Sequence, residues 1–317
     1  MASPSHVLVL GASGFLGTPL WRQLADEGAR LTVLVHQHDP GGWPAGTRIL
    51  RGDLASCDLG WCQSDPPQQV FHCARLRGRG VAGRALAAWR GARANRRWIQ
   101  CLTRLPEPPR VVYASGSLVY GSRGEDWVEE TTPLAPTSFA RQYARAEEPW
   151  RQADPRRLPV VMARPGWVLG EGSWLEGFYL GPARREGAVP LYGEGRNWMT
   201  FIHREDCAAL LRAAARHGIP GSAWNLAPAP PLRQADFVEA LAGLLGLPVR
   251  RQPLESLRGR WDRALVEAFG SSIRLRSAHD IGLAAAGVRF PDTVSALRAV
   301  VAGHTGHTPP STTARSG

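Results

Sequence analysis

A short apolar run, Val7-Leu8-Val9-Leu10, breaks into the turn Gly11-Ala12-Ser13-Gly14-Phe15-Leu16-Gly17, and a helical pattern follows at once. A buried strand feeding a tight turn and a helix start is a phosphate-binding arrangement. Gly11 turns the chain, Gly14 leaves the backbone bare for a pyrophosphate, and Gly17 lets the helix pack closely on the strand. The helix start adds unpaired N–H groups and a partial positive charge. The spacing is G-x-x-G-x-x-G rather than the commoner G-x-G-x-x-G. Three glycines alone are weak evidence, and the strand before them and the helix after them supply the missing context. Ser13, Phe15 and Leu16 lie in the same turn and join the glycines as candidate cofactor contacts.

The pattern downstream extends this unit. Residues 15–27 read as an amphipathic helix with Leu16, Leu20 and Leu24 on one face, closed by Gly28. Strands are expected at 31–35, 49–50, 70–74, 111–114 and 159–163, with helices at 84–105 and 138–150 between the later ones. Such alternation predicts an α/β fold, a Rossmann-type doubly wound parallel sheet. The pattern then changes. Residues 170–195 read as loop-rich, with Trp174, Phe178, Tyr179 and Tyr192 among them. A short strand at 200–203 leads into a helix at 204–216, and a strand at 224–226 returns to the sheet. Helices are expected at 235–245, 261–269 and 294–302. The resulting division is a dinucleotide-binding domain over 1–168, completed by about 199–228. A smaller C-terminal α/β substrate-binding region follows over 169–198 and 229–302, and then a polar, disordered tail over 303–317.

Composition excludes several classes of function. The chain has 317 residues, of which 44% are hydrophobic, enough for a sizeable core. No apolar run approaches the length of a membrane span, so no membrane partner is expected. The N-terminus lacks the basic and apolar regions of a signal peptide, and a cytoplasmic location is the expectation. The five cysteines are dispersed with no C-x-x-C, which suggests neither a metal site nor a disulfide framework. Net charge is +11, and all 38 basic residues are arginine, since the chain contains no lysine. No nucleic-acid recognition motif accompanies the charge. A solvated basic surface that attracts anionic small molecules is the reading that stands, with no nucleic-acid partner.

The second strand bears on the choice of cofactor. In this fold a carboxylate at its end holds the ribose hydroxyls of NAD, and a cation there accommodates the phosphate of NADP. Here the strand ends in His36-Gln37-His38, with Asp39 slightly beyond. The cofactor reading is therefore NAD(P)(H) with a lean to NADP, His36 and Arg51 lying near the phosphate. Asp53, after the third strand, is a candidate acceptor for the adenine amino group. The loop after 111–114, Ser115-Gly116-Ser117, lies at the sheet edge where such folds bind ligands.

Taken together these residues resemble the extended, atypical short-chain dehydrogenase/reductase group, the NAD(P)-dependent epimerase/dehydratase-like family. The motifs are Gly11–Gly17, Gly52-Asp53-Leu54, His72-Cys73-Ala74, Val119-Tyr120-Gly121, Arg164-Pro165 and Phe201-Ile202-His203-Arg204-Glu205-Asp206. The resemblance covers almost the whole chain to about Gly303. It implies cofactor contacts at Leu54, Ala74, Pro165 and Val168 as well as in the turn. Assembly is left open, with a homodimer through the helices at 84–105 and 138–150 as the form often seen. Family chemistry uses a Ser or Thr, a Tyr and a Lys four residues after the Tyr. Tyr143 is the best match for the Tyr, and Glu147 stands where the lysine belongs. A carboxylate there can accept from ribose hydroxyls, but it opposes ionisation of Tyr143. The hydroxyl position falls on Gly116, flanked by Ser115 and Ser117.

Two functions follow. The first is an NAD(P)-dependent oxidoreductase or epimerase-type enzyme acting on a small organic substrate, sugar-nucleotide or polyketide-like, with Tyr143, Ser117 and Ser115 at the reacting oxygen. Trp167, Trp174 and Trp198 are candidates to line an apolar pocket. The second, which the altered Ser-Tyr-Lys site favours, is a non-redox member of the fold: a dinucleotide-responsive regulator, or a lyase, cyclase or isomerase. His203 and Asp206 read as structural, fixing a helix start.

Overall fold

The computed structural model describes residues 4–279 and 286–305. Seven strands form the central sheet: β1 (His6–Leu10), β2 (Arg30–Val35), β3 (Arg48–Arg51), β4 (Gln69–His72), β5 (Arg110–Ala114), β6 (Val160–Pro165) and β7 (Ala223–Leu226). They lie in the order β3-β2-β1-β4-β5-β6-β7. Every neighbouring pair is parallel. The winding direction reverses between β1 and β4, so a crevice opens beyond their carboxyl ends. The strands are aliphatic runs because helices cover both faces, and all five residues of β1 are buried.

Four helices supply that cover. Helix α1 (Gly17–Asp26) and helix α4 (Arg204–His217) pack on one face, where Leu20, Trp21 and Leu24 share a core with Leu210, Leu211 and Ala214. Helix α2 (Gly80–Thr103) and helix α3 (Ser138–Arg151) cover the other, with Trp98, Leu102 and Trp150 against Leu8, Leu10 and Val111. Helix α2 begins four residues before the expected 84.

The C-terminal region adds helix α5 (Gln234–Leu245), helix α6 (Arg263–Phe269) and helix α7 (Thr293–Thr305). A parallel pair of strands, Val189–Tyr192 with Val249–Gln252, packs beside them. Its core is aromatic. Phe178 stacks on Phe269 at 4.6 Å between ring centroids, and Phe201 on Phe237 at 4.4 Å. The stretch 170–195, expected to be loop, is largely ordered. A π-helical turn, Glu176–Leu180, runs into a helix, Gly181–Glu186, and then into the strand Val189–Tyr192. Gly177 and Gly181 hide the helical pattern in the sequence, and burial of Phe178, Tyr179 and Leu180 overrides their poor propensity. Helix α7 carries through Thr305, past Gly303 where the tail was expected to start, and residues 306–317 lie outside the described ones. Among the described residues no helix is long and apolar enough to cross a membrane.

The glycine turn joins β1 to α1 by close backbone approach. Gly11 has φ +82°, and a Cβ on it would sit 2.8 Å from the Ala74 nitrogen at the end of β4. A Cβ on Gly17 would collide with the Gly11 carbonyl and lie 2.8 Å from the Ala12 Cα. Only backbone surrounds it, so no side chain can swing aside. Gly17→Val should therefore lower the unfolding free energy by about 2–3 kcal/mol in urea denaturation. Gly28→Ala is the control: its φ of +80° opens onto empty space, and the left-handed backbone alone should cost about 1 kcal/mol. Equal losses would contradict the close approach.

Candidate active site

Helix α3 aims the site. Tyr143, Ala146, Glu147 and Trp150 recur at helical spacing on one face and are buried, whereas Arg141 and Arg145 point away and are exposed. Two links tie that face to the sheet. Ser115, just past β5, donates its Oγ–H to Glu147 Oε2. Asn95 of α2 donates Nδ2–H to the Ala146 carbonyl at 2.7 Å, and its Oδ1 lies 2.9 Å from His72 Nε2. With Oδ1 as the acceptor, His72 must donate from Nε2. Burial pushes its pKa down to about 4, so the ring is neutral.

A cleft of about 350 Å³ opens at the carboxyl edge of the sheet. It brings together Phe15 and Leu16 of the glycine turn, Ser115 and Ser117, Tyr143, and Pro165 and Val168 after β6. Trp167 and Trp174 form a wall of it, their rings 4.9 Å apart, as anticipated. Trp198 does not line it. It lies across the C-terminal region with its indole N–H on Glu125 and the guanidinium groups of Arg233 and Arg274 over its ring. Those surface partners, rather than a ligand, satisfy its polar edge.

Tyr143 is only 7% exposed. A Cβ built on Gly116 would lie 3.8 Å from its Oη, so the phenol stands directly against the position the hydroxyl residue would occupy. Burial pushes its pKa well above the usual phenol value. Arg75 and Arg164 pull it back, Glu147 adds to the rise, and burial wins. The group is a neutral donor at physiological pH. Glu147 is 1% exposed. Burial raises its carboxyl pKa, opposed by the Ser115 bond and then by Arg164 and Arg75. Its Oε1 is buried without a hydrogen-bond partner among the described residues. Arg164 is committed elsewhere: it donates to Tyr120 Oη at 2.9 Å, and Tyr120 donates to Asn225 at 2.7 Å.

The remaining candidates are spread along the edge. The turn carrying Ser13 leads into α1, whose start has no side-chain cap and no acid in its first turn, so its N–H groups face no competing charge. A Cβ on Gly14 would meet only the Gly11 carbonyl, at 3.0 Å. This bare cradle fits a pyrophosphate. His36 is exposed just past β2. Asp39 is bound by the Gly41 N–H, the Trp43 indole and Arg51. Asp53 Oδ1 accepts from Ala55 N, Ser56 N and Ser56 Oγ, holding its own loop, while Oδ2 lies 3.7 Å from Arg90. Leu54 is buried, and its carbonyl takes the Trp98 indole N–H. His203 Nδ1 accepts from the Glu205 N–H at the start of α4, and Asp206 takes the N–H groups of Arg289 and Phe290. His203 fixes the helix start, as expected; Asp206 instead ties α4 to the backbone at Arg289 and Phe290.

One residue was not anticipated. The guanidinium of Arg75 lies 4.3 Å from the Tyr143 ring centroid. Its signal in the sequence is its place immediately after Ala74, at the sheet edge, in a chain without lysine.

Comparison with known proteins places the chain in a family and a fold. The NAD dependent epimerase/dehydratase family matches residues 7–227. The epimerase family protein SDR39U1 of Bos taurus is 27% identical over 320 residues, covering 94% of this chain and all of that protein. The crystal structure of human SDR39U1 with NADPH superposes with a TM-score of 0.75 at 20% identity, covering 94% of this chain and 99% of that one. A UDP-N-acetylglucosamine 4-epimerase from Methanobrevibacter ruminantium, in complex with UDP-N-acetylmuramic acid, superposes at 0.76 with 17% identity, covering 96% and 99%. These structural likenesses show a shared fold.

The buried carboxyl yields a pH test. Folding favours the protonated form of Glu147, so its contribution is intact below the unfolded-state value of 4.5 and is lost as pH rises through the elevated folded value. Glu147→Gln keeps an acceptor for Ser115 and removes the charge. Its stability relative to the native chain should rise between pH 4 and pH 8 in denaturant titrations. A difference independent of pH would contradict the buried, elevated carboxyl.

Proposed function

The chain belongs to the NAD dependent epimerase/dehydratase family, and we propose that it is an NADP(H)-using reductase in which Tyr143 works as a neutral acid. The observation that carries this reading is the burial of Tyr143 in the cleft, against Gly116, with a carboxyl rather than an amine one helical turn on.

The cofactor's place follows from the cradle. Gly11, Ser13, Gly14, Phe15, Leu16 and Gly17 would hold the pyrophosphate, Asp53, Leu54 and Ala74 the adenosine, and Pro165 and Val168 the nicotinamide. Glu147 Oε1, without a partner, would accept from the nicotinamide ribose. His36 stands where the second ribose would lie, and Asp39 beyond it is already neutralised by Arg51. That leaves no free carboxylate to demand NAD, and it supports NADP. When bound, the nicotinamide gives or takes a hydride.

The chain's own part is to handle the proton. Reduction turns a carbonyl oxygen into an alkoxide, which is more basic than any phenolate, so Tyr143 can surrender its proton even with an elevated pKa. The reverse step needs a tyrosinate at rest, and burial opposes that. Reduction of a carbonyl is thus favoured at neutral pH over alcohol oxidation, and over any epimerisation that must begin by oxidising an alcohol. Ser117 would orient the reacting oxygen, since Ser115 is engaged by Glu147. The regions 169–198 and 229–302 would close the substrate side, with Trp167 and Trp174 as its wall.

Calorimetric titration with NADPH, NADP, NADH and NAD tests the reading. NADPH should bind about tenfold or more tightly than NADH. Absence of binding by all four at millimolar concentration would overturn it in favour of a non-redox role. Tyr143→Phe should leave NADPH affinity unchanged and slow turnover of a carbonyl substrate, followed by nicotinamide absorbance, by about 10²–10⁴-fold.

A further inference from the structure

The cleft has a neighbour. A second cavity of about 300 Å³ lies between α2, α3 and the end of β4. The two cavities share four residues as their common wall: Arg75, Arg77, Phe139 and Tyr143. Elsewhere the walls are mostly apolar. Leu118, Trp167 and Trp174 line the first, and Leu54, Leu76 and Ala88 line the second.

The charges at this shared wall are of one sign. Several arginines near the sheet edge are compensated: Arg51 by Asp39, Arg84 by Asp262 and Arg90 by Asp53. Among the described residues, Arg75 and Arg77 form no ion pair, and both are exposed. The net charge of +11 guarantees that some arginines go unpaired, so the lack of a partner alone decides nothing. What matters is where these two stand. Both edge the cleft, and the Arg75 guanidinium sits over the ring of the proposed acid. The nearest buried carboxyl, Glu147, already accepts from Ser115.

We propose that the substrate is an apolar oxo acid, its anionic head held by Arg75 and Arg77 and its body lying against Phe139, Trp167 and Trp174. This rests on the reading of Tyr143 as the acid. A guanidinium holds a carboxylate at about 2.7–2.9 Å. An anion gripped by Arg75 therefore brings an oxygen only a few bonds along the molecule within reach of Tyr143 Oη. The favoured substrate has its ketone close to the acid group. The apolar body needs no further polar partners, which suits a cleft whose polar side chains besides these arginines are Ser115, Ser117, Ser173 and Tyr143. A sugar, with a hydroxyl on most carbons, would leave many of its groups unpaired there.

The test uses three probes on the full chain, with and without saturating NADPH: 3-phenylpropanoate, its neutral analogue 3-phenylpropan-1-ol, and UDP-glucose. In calorimetry the acid should bind about tenfold or more tightly than the alcohol, and UDP-glucose should bind more weakly than the acid. The double variant Arg75→Met, Arg77→Met should erase the preference for the acid while leaving NADPH affinity unchanged. Arg75→Lys, which keeps the charge, should restore part of the preference to a chain that lacks Arg77. Equal binding of acid and alcohol to the native chain would overturn the proposal. So would tighter binding of UDP-glucose, or loss of NADPH binding in the double variant with the acid preference intact. If NADPH fails to bind while the arginine-dependent acid preference persists without it, the redox reading falls and the anion site stands.

Discussion

Desolvation of one face of α3 is the constraint on which the site depends. Tyr143, Ala146, Glu147 and Trp150 are driven against β4 and β5 by the same burial that makes the core. Two of them carry titratable groups, and burial disfavours the charged form of each. The fold accommodates this through hydrogen bonds rather than ion pairs. Ser115 donates to Glu147, and a neutral His72 reaches the Ala146 carbonyl through Asn95. A buried, unpartnered carboxylate would be costly. A carboxyl able to stay protonated, with one oxygen satisfied by Ser115, is not. The same low polarity keeps Tyr143 a phenol. Under the proposed function, chemistry at this site would start from a proton held, and the direction of reaction would follow from that.

Legibility in the sequence tracks how local each signal is. The turn Gly11–Gly17 was readable because strand, glycines and helix are contiguous, and the structure adds the reason: Gly17 packs against the Gly11 backbone. The sheet was readable from the alternation of apolar runs and helical periods. Glu147 was readable from a spacing of four on one helix. The contact of Arg75 with Tyr143 was not, because it joins residues 68 positions apart through tertiary packing; the place of Arg75 after Ala74 marks the sheet edge but not its partner. The helix hidden in 170–195 failed for the opposite reason: its glycines speak against a helix that buried aromatic contacts enforce. Trp198 shows the same limit. Its type suggested a pocket, and only its surroundings show that Glu125 and two arginines occupy it.

Using arginine alone as the basic residue shapes the site. Lysine offers a compact charge on a flexible stem, suited to one ribose and one phenol. Arginine stays charged, lies flat on aromatic rings and grips planar anions. A chain without lysine that still places a cation on the proposed acid does so with a group better suited to hold a carboxylate than to shuttle a proton. The damaged Ser-Tyr-Lys pattern, the Arg75 guanidinium over the Tyr143 ring and the apolar walls all fit the proposed device, a neutral acid beside an anion grip.

The claim that Tyr143 rests as a neutral phenol can be measured directly. Carbon NMR of the ring Cζ in chain labelled at its five tyrosines, with Tyr143 assigned by its loss in Tyr143→Phe, reports ionisation as pH is raised. The account predicts that the Tyr143 signal keeps its neutral position beyond pH 10, the ordinary midpoint of a phenol. A Tyr143 that ionises at or below that midpoint would contradict the buried, elevated phenol, and one that ionises near neutral pH would make the site work from a tyrosinate.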